Sequence, residues 1–266
     1  MLKFITFTIL TILGLNSYAL SGLEIMQKVE DRDDGQSMKS IMTMVLIDKN
    51  NKKRIRKMQT YSIDIDKNTE HRAIFFLSPT DVRRTAFLTF DYKEENKDDD
   101  QWMFLPALKK TKRIPSSDKD GSFMGSDFSY ADMTDRIVND YSYKILKESN
   151  IKRKNGVVKV WQIESIPKSQ KTIDETGYTK SIAFVRQDNF MVVRAKMYLK
   201  KTGKVKYMDV RKIEKINNIW VAIQTSMTTK FGKQTMHKTL LTQSDITINT
   251  EIDKDIFTIR SIEKGL

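Results

Sequence analysis

Short runs of alternating apolar and polar residues fill most of the chain beyond residue 37. An alternation of period two is typical of β-strands that bury one face. It predicts about ten to twelve strands, within residues 38–48, 54–64, 72–77, 85–90, 102–105, 141–148, 157–166, 178–186, 191–199, 205–213, 220–229 and 237–248. The segments between them are too short for parallel crossovers, which need about a dozen residues. The pattern therefore predicts one curved antiparallel sheet in a single domain, residues 20–266.

Two segments depart from this alternation and predict helices. Ser21 precedes an apolar-periodic run to Val29, with Glu24 three residues later, which is the pattern of a capping box. The second segment, residues 128–138, would place Phe128, Met133 and Ile137 on one face. A large sheet with one apolar face must cover that face or use it. We therefore expect a mainly β (α+β) fold, an unclosed β-barrel whose concave face is lidded by a few helices.

The first 19 residues have the pattern of a cleavable signal peptide. Lys3 precedes an uncharged, mostly apolar run over residues 4–15, and Ser17-Tyr18-Ala19 places small residues where signal peptidase cleaves. The run is too short for a stable transmembrane helix. The chain has no Cys, so neither an N-terminal lipid-modified cysteine nor a disulfide can form. The sequence predicts a periplasmic protein that is not lipidated.

The composition favours some kinds of binding partner over others. The net charge is +13, yet the lysines are spread along strands and turns rather than gathered on one helix. Together with export, this argues against nucleic acid and favours an anionic membrane surface. The alternative is that the charge only keeps the chain soluble.

The residues that catalysis needs are sparse. There are two His, His71 and His237, and no Cys, which disfavours a metal centre or a thiol nucleophile. Ser122 lies between glycines without the strand–helix context of a nucleophile elbow. Asp127, Asp132 and Asp135 have the spacing of no cation-binding loop and are interpreted as helix-capping or solvated carboxylates. We therefore predict no enzyme, no cofactor and no metal site.

Methionine is frequent in the predicted strands. The chain has 14 Met, and Met191, Val193, Ala195, Met197 and Leu199 form an uninterrupted alternating set. Methionine is flexible and polarizable, so it suits a deformable cavity for acyl chains, and equally an irregular core. Both interpretations stay open at this point.

The most distinctive block is residues 101–130. It reads Gln101-Trp102-Met103-Phe104-Leu105-Pro106-Ala107-Leu108-Lys109-Lys110, then Arg113-Ile114, then Gly121-Ser122-Phe123-Met124-Gly125-Ser126-Asp127-Phe128-Ser129-Tyr130. With the leader, the N-terminal helix and a closing Asp-Ile-Phe at residues 255–257, it resembles an uncharacterised branch of the LolA-like outer-membrane lipoprotein-sorting proteins. The resemblance implies an unclosed β-barrel with a hydrophobic cavity for acyl chains of lipids or lipoproteins. It also implies, as a partner, an inner-membrane exporter of the RND/MMPL type.

The resemblance and the block together suggest where a ligand would bind. The predicted cavity and mouth residues are Trp102, Phe104, Phe123, Met124, Phe128, Tyr130, Met191 and Met197. The predicted contacts to an anionic headgroup are Lys109, Lys110, Lys112 and Arg113. In this hypothesis residues 109–130 form a loop that hinges at Gly121 and Gly125. The alternative is a solvated basic hairpin over a packed lid.

The sequence leaves three functions open. The first is a periplasmic carrier or chaperone for lipids or lipoproteins in outer-membrane sorting. The second is an accessory interaction subunit of an inner-membrane lipid or drug exporter that carries no cargo. A hydrolase acting on envelope lipid is the third and has the least support. Co-purified lipid, a stable protein partner or loss of an ester substrate would distinguish them.

Overall fold

The computed structural model describes residues 20–94, 97–153, 156–200 and 203–266. The predicted signal peptide, residues 1–19, lies outside the described residues. In the part of the chain that the structure describes, no helix is long and apolar enough to cross a bilayer.

All strands belong to one antiparallel sheet that does not close into a barrel. Its spatial order is β6-β5-β4-β3-β2-β1-β13-β12-β11-β10-β9-β8-β7. The strands are β1 Ser37–Asp48, β2 Lys53–Asp66, β3 Thr69–Ser78, β4 Ala86–Tyr92, β5 Asp100–Leu105, β6 Lys110–Arg113, β7 Tyr141–Arg153, β8 Gly156–Pro167, β9 Tyr178–Arg186, β10 Val192–Leu199, β11 Lys204–Ile216, β12 Ile219–Phe231 and β13 Gln234–Ile248. The predicted fold class is thereby confirmed.

The N-terminal helix α1, Gly22–Glu30, begins as the sequence predicts. The Ser21 side chain accepts a hydrogen bond from the Glu24 N–H, and the Glu24 carboxylate accepts one from the Ser21 N–H. This capping box satisfies two N–H groups that a helix start leaves without partners. On the inner face, Ile25 packs against Ile163 and Val185, which anchors α1 to strands β8 and β9.

Two further helices are not predicted by the pattern of apolar and polar residues. Helix α2, Gln170–Thr176, begins at Ser169, whose side chain accepts from the Thr172 N–H, and ends at Gly177 with φ +76°. Helix α3, Ile259–Lys264, places Ile262 in the core. Both are too short for a period to emerge from the sequence.

The predicted helix over residues 128–138 is wrong. Its place is taken by short 3₁₀ turns at Ala131–Met133 and Val138–Asp140, separated by extended backbone at Thr134. The reason lies in bonds to the sheet, because the Asp132 carboxylate accepts from the Tyr178 hydroxyl on β9 and lies 3.5 Å from Lys206 Nζ on β11. These contacts fix the backbone to the sheet, and tertiary bonds override the local periodicity.

The sheet curls around residues 116–140, which we call the inner segment. Phe123 in this segment packs against strands near one end of the sheet, and Phe128 packs against Met197 and Met227 near the other. One short segment reaches both halves only because the sheet is strongly curved. The inner segment therefore lies on the concave face.

The opposite, convex face is covered over part of its area by the C-terminal segment. Phe257 and Ile262 pack there against Phe75, Leu88 and Phe104. Phe90 and Trp102 extend this cluster, with ring centroids 5.0 Å apart. Over strands β10 to β13 the convex face carries no helix in the described part of the chain.

Candidate functional site

Methionine lines the concave face. Nine Met belong to the two clusters around the inner segment, seven on strands and two on the segment itself: Met42, Met44, Met58, Met103, Met197, Met208, Met227, Met124 and Met133. Met133 and Leu241 contact the clusters on both halves of the sheet. The result is a continuous surface of flexible side chains, which can repack around an apolar guest.

Aromatic rings fasten the inner segment to this surface. Phe123 is buried, and its ring lies 5.1 Å from that of Phe87 and 5.9 Å from that of Tyr130 in edge-on geometry. Phe76 completes the group at 6.3 Å from Phe123. Edge-on aromatic pairs contribute about 0.5–1.5 kcal/mol beyond area burial. The Gly-punctuated part of the block is therefore a packed plug.

A buried carboxylate holds the middle of the inner segment. Asp127 is 4 % exposed and accepts hydrogen bonds from Thr229 Oγ1 at 2.6 Å and Thr239 Oγ1 at 2.8 Å. His237 Nδ1 lies 2.7 Å from the same carboxylate, and the Asp127 N–H donates to Thr239. The interpretation of Asp127 as a capping or solvated group is wrong. It joins the inner segment to β12 and β13.

A second carboxylate of the inner segment, Asp132, contacts side chains of β9 and β11. The Tyr178 hydroxyl donates to it at 2.9 Å, and Lys206 Nζ lies 3.5 Å away. Lys206 also donates to the Tyr178 hydroxyl at 2.9 Å. Burial, with Asp132 next in effect, raises the pKa of Tyr178 well above its usual value. Tyr178 is therefore a neutral donor, and Asp132 is likewise not solvated.

The end of the inner segment meets a compact charge cluster. Arg72 donates to the Met133 carbonyl at 3.0 Å, lies 3.1 Å from the Asp91 carboxyl and forms an ion pair with Asp135 at 2.8 Å. Glu70 gives Arg72 a further pair at 2.5 Å. Burial raises the pKa of Asp91 to about 8, against the opposing effect of Arg72. Burial thus favours the neutral form of Asp91, whereas Arg72 favours the carboxylate.

Further hydrogen bonds hold the segment in which the hinge is predicted, and hinging there stays a prediction. Arg56 donates to the Met124 carbonyl, and Gln101 donates to the Tyr130 carbonyl at 2.9 Å. Gly125 has φ +71° and forms a tight turn that only a residue without Cβ adopts freely. The inner segment, bonded to the sheet at Met124, Asp127, Tyr130 and Met133, forms a plug on the concave face.

The plug leaves open space beside it on the concave face. One cavity of about 240 Å³ has apolar walls of Met38, Met42, Ile74, Phe87 and Met133, with Thr60, Ser62, Arg72, Thr89 and Asp132 among its polar lining. A neighbouring cavity of about 270 Å³ shares Met38, Ser62 and Arg72 and continues to Met191, Ala222 and Gln243. Binding sites for small molecules typically span about 300–1,000 Å³. The two together have that size.

The structure separates the predicted cavity residues. Phe123, Met124, Phe128 and Tyr130 lie on the concave face as part of the plug. Trp102 and Phe104 pack on the convex face. The prediction that these two residues line the cavity is therefore wrong. Successive strand residues face opposite sides, and on β5 it is Met103 that points inward.

The alternating set on β10 is interrupted as well. A bulge between Val192 and Arg194 breaks the register, so Met191 and Met197 belong to different clusters. Met197 packs under Phe128, whereas Met191 lines the second cavity. A bulge leaves no mark in the hydrophobic pattern.

The predicted headgroup residues lie on an edge strand, away from the cavity. Lys109 occupies the turn before β6 with φ +48°, and Lys110, Lys112 and Arg113 are exposed along β6. Arg113 is bonded to Asp100 on the neighbouring strand. Lysines on an exposed edge discourage pairing with another chain. Their contact with a headgroup stays a prediction.

Sequence reasoning missed the residues that hold the plug. Arg56, Thr229, His237 and Thr239 lie on strands distant in sequence from the inner segment. The only available signal was a polar residue at an inward position of an otherwise apolar strand. In the part of the chain that the structure describes, no three His, Asp or Glu form a group that could hold a metal ion.

Comparisons with known proteins agree with this architecture. A family model described only as an uncharacterised protein matches residues 68–264. A DUF1329 family protein from Desulfovibrio piger is 27 % identical, with a TM-score of 0.80 over 91 % of this chain and 97 % of that one. No protein with a curated function matches the sequence significantly.

Two further crystal structures are similar. A domain from Vibrio parahaemolyticus, named for outer membrane lipoprotein sorting, is 30 % identical, with a TM-score of 0.80 over 91 % of this chain and 98 % of that one. A LolA superfamily protein from Nitrosomonas europaea is 18 % identical, with a TM-score of 0.66 over 91 % and 99 %. At that identity the second likeness concerns the fold alone.

Proposed function

The chain belongs to the DUF1329 family and has the LolA superfamily fold, and from this premise we propose that it is a carrier for acyl chains of lipids or lipoproteins. The supporting observation is the methionine-lined concave face that continues into the cavities beside the plug. Each methylene buried there is worth about 0.8 kcal/mol. Half of one acyl chain therefore supplies several kcal/mol of affinity without covalent chemistry.

The setting of this function is proposed from the sequence and from the names of relatives. Residues 1–19 would be removed on export, leaving residues 20–266 as the lipid- or lipoprotein-binding domain in the periplasm. The Vibrio parahaemolyticus domain is named for outer membrane lipoprotein sorting, and we extend that process to this chain. Intact-mass analysis of protein from the native envelope tests the leader, because retention of residues 1–19 would contradict the proposal.

A matched pair of variants on β1 tests the cavity. Met42 lines the concave cavity, while the adjacent Thr43 lies at the opposite parity and faces outward. Met42→Trp fills the cavity and should weaken binding of a fluorescent fatty acid about tenfold or more, whereas Thr43→Trp should leave it unchanged. Equal affinity in both variants, with intact circular dichroism, would remove the cavity from the function.

One observation favours the second candidate, an accessory subunit of an RND/MMPL-type exporter without its own cargo. The plug already occupies much of the concave face, held there by Asp127, Asp132 and Arg72. Native mass spectrometry of protein purified from its own envelope discriminates the two. Bound lipid supports the carrier, and a protein partner with an empty cavity supports the accessory subunit.

A further inference from the structure

Three neighbouring hairpins close six consecutive strands at the same end of the sheet. Strands β2-β1-β13-β12-β11-β10 are adjacent in this order. The pairings Ile47–Lys53, Asp48–His237 and Lys204–Phe231 bring the β1–β2, β12–β13 and β10–β11 turns to one rim. We call this rim the basic hairpin end.

Several cations without salt bridges lie close together at this end. Six exposed or half-exposed basic side chains lie here, and none pairs with a carboxylate of the described residues: Lys49, Lys52, Lys53, Arg54, Lys230 and Lys233. The nearby Asp48 carboxylate is engaged in its own turn, where it accepts from the N–H groups of Asn50 and Lys52. Lys200 is the exception, because it pairs with Asp120 and Asp174.

Apolar side chains protrude between these cations. Phe231 is 55 % exposed at the tip of the β12–β13 hairpin, and Ile55 is 57 % exposed on β2. Beyond Phe231, Gly232 has φ +55° and open space around it. Lys230 lies 5.5 Å over the ring of Tyr207 on the adjacent strand. Amphipathic aromatics beside lysines are the composition that bilayer interfaces favour.

The opposite ends of β1 and β2 are rich in carboxylates and form what we call the acidic end, although Arg32 and Lys67 also lie there. Five exposed carboxylates lie before β1 and around the β2–β3 turn: Asp31, Asp33, Asp34, Asp64 and Asp66. The polar cavity wall at Arg72 and Glu70 is also at that end. The two ends therefore differ in charge, and an anionic plane would attract the basic hairpin end more strongly than the acidic end.

We propose that the basic hairpin end docks on an anionic lipid bilayer, with Phe231 inserted among the headgroups. This surface borders the plug, whose Asp127 is bonded to Thr229 and His237 near the rim, but docking there does not require that the concave face bind acyl chains. It specifies where the membrane contact would lie, in place of the edge strand β6. Docking in this orientation leaves the acidic end, with its cavity, directed away from the bilayer.

Co-sedimentation with vesicles tests the electrostatic part. The native chain should bind vesicles of phosphatidylcholine mixed with phosphatidylglycerol and not phosphatidylcholine alone, and high salt should abolish binding. Combined Lys52→Gln, Lys53→Gln and Lys233→Gln should weaken binding on the order of 100-fold, about fivefold per lysine. The control Lys147→Gln, Lys152→Gln and Lys159→Gln removes the same charge from exposed sites on β7 and β8 and should change it little.

A second pair of variants tests the apolar contribution to vesicle binding. Phe231→Ser should weaken vesicle binding about tenfold, while Leu146→Ser, at a 41 % exposed site on β7, should not. Equal losses in the two lysine variants would mean that net charge alone acts, and would overturn the proposal. So would native protein that binds only an acidic protein surface, or hairpin variants of undiminished affinity. Met42→Trp should retain vesicle binding, which separates this test from that of the acyl-chain cavity.

Discussion

Asp127 and His237 lie 110 positions apart in the chain, yet Oδ2 of the carboxylate is 2.7 Å from Nδ1 of the imidazole. The contact joins the middle of the plug to β13. Because Thr229 and Thr239 also donate to this carboxylate, one buried side chain bonds the plug to the adjacent strands β12 and β13.

Asp127→Asn should lower the free energy of unfolding by about 2–4 kcal/mol, since an amide cannot accept from all these donors at once. Denaturant unfolding monitored by circular dichroism measures the change. Asp118→Asn, exposed on the same segment, is the control and should stay within about 0.5 kcal/mol. A comparable loss of stability in both variants would show that Asp127 stabilises the fold no more than an exposed carboxylate does.

Asp91 makes stability depend on pH. Burial raises its pKa from 3.8 to about 8 in the folded chain. As pH rises between these values, the proton leaves only the unfolded chain, so the free energy of unfolding falls. Asp91→Asn imitates the neutral acid and should flatten this decline, which denaturant titrations across the interval would detect. An unchanged slope would show that Asp91 is ionised in the folded protein.

Met133 connects the plug to both clusters and forms part of the cavity wall. Met133→Ala should cost about 1–3 kcal/mol of stability through lost packing. If the cavity takes acyl chains, a long-chain fatty acid should restore most of the lost melting temperature. Met26→Ala removes a methionine of α1 that packs against the cluster of Ile163 and Val185, and it should be destabilising without recovery. Recovery in both variants would point to non-specific binding.

Ser21 fixes the start of α1 through its capping box. Ser21→Ala should destabilise the helix by about 1 kcal/mol. Hydrogen exchange should then accelerate at the amides of α1 and leave β1 unaffected. Uniform acceleration across both elements would instead show that α1 unfolds only with the whole domain.

Local patterns suffice for the sheet and for α1. The two-residue period predicts the strands because one face of each is buried, and Ser21 with Glu24 predicts the cap because both bonds close within three residues. Strand β6 escapes prediction because Lys110, Thr111, Lys112 and Arg113 bury no face. An exposed edge has no hydrophobic signal.

The plug cannot be derived in the same way. Residues 128–138 have a helical period, but Asp132 bonds to Tyr178, 46 positions away. By hydrophobicity alone, Trp102 and Phe104 cannot be distinguished from Met103. Only the orientation of β5 shows that Met103 points to the concave face and the other two to the convex face. Which of two apolar faces is concave depends on the curvature of the whole sheet, which no local window contains.

The pairing of the first strand with the last has a consequence for synthesis. Chains emerge N-terminus first, and β1 meets β13 only when residues near 248 have appeared. Until then β1 offers an unpaired edge, and Phe123 and Phe128 have only part of the surface that buries them. The nascent chain thus passes through a long aggregation-prone stage, in which folding has to be faster than aggregation. A holding chaperone that recognises aromatic segments would be most useful to this protein before its last strand is made.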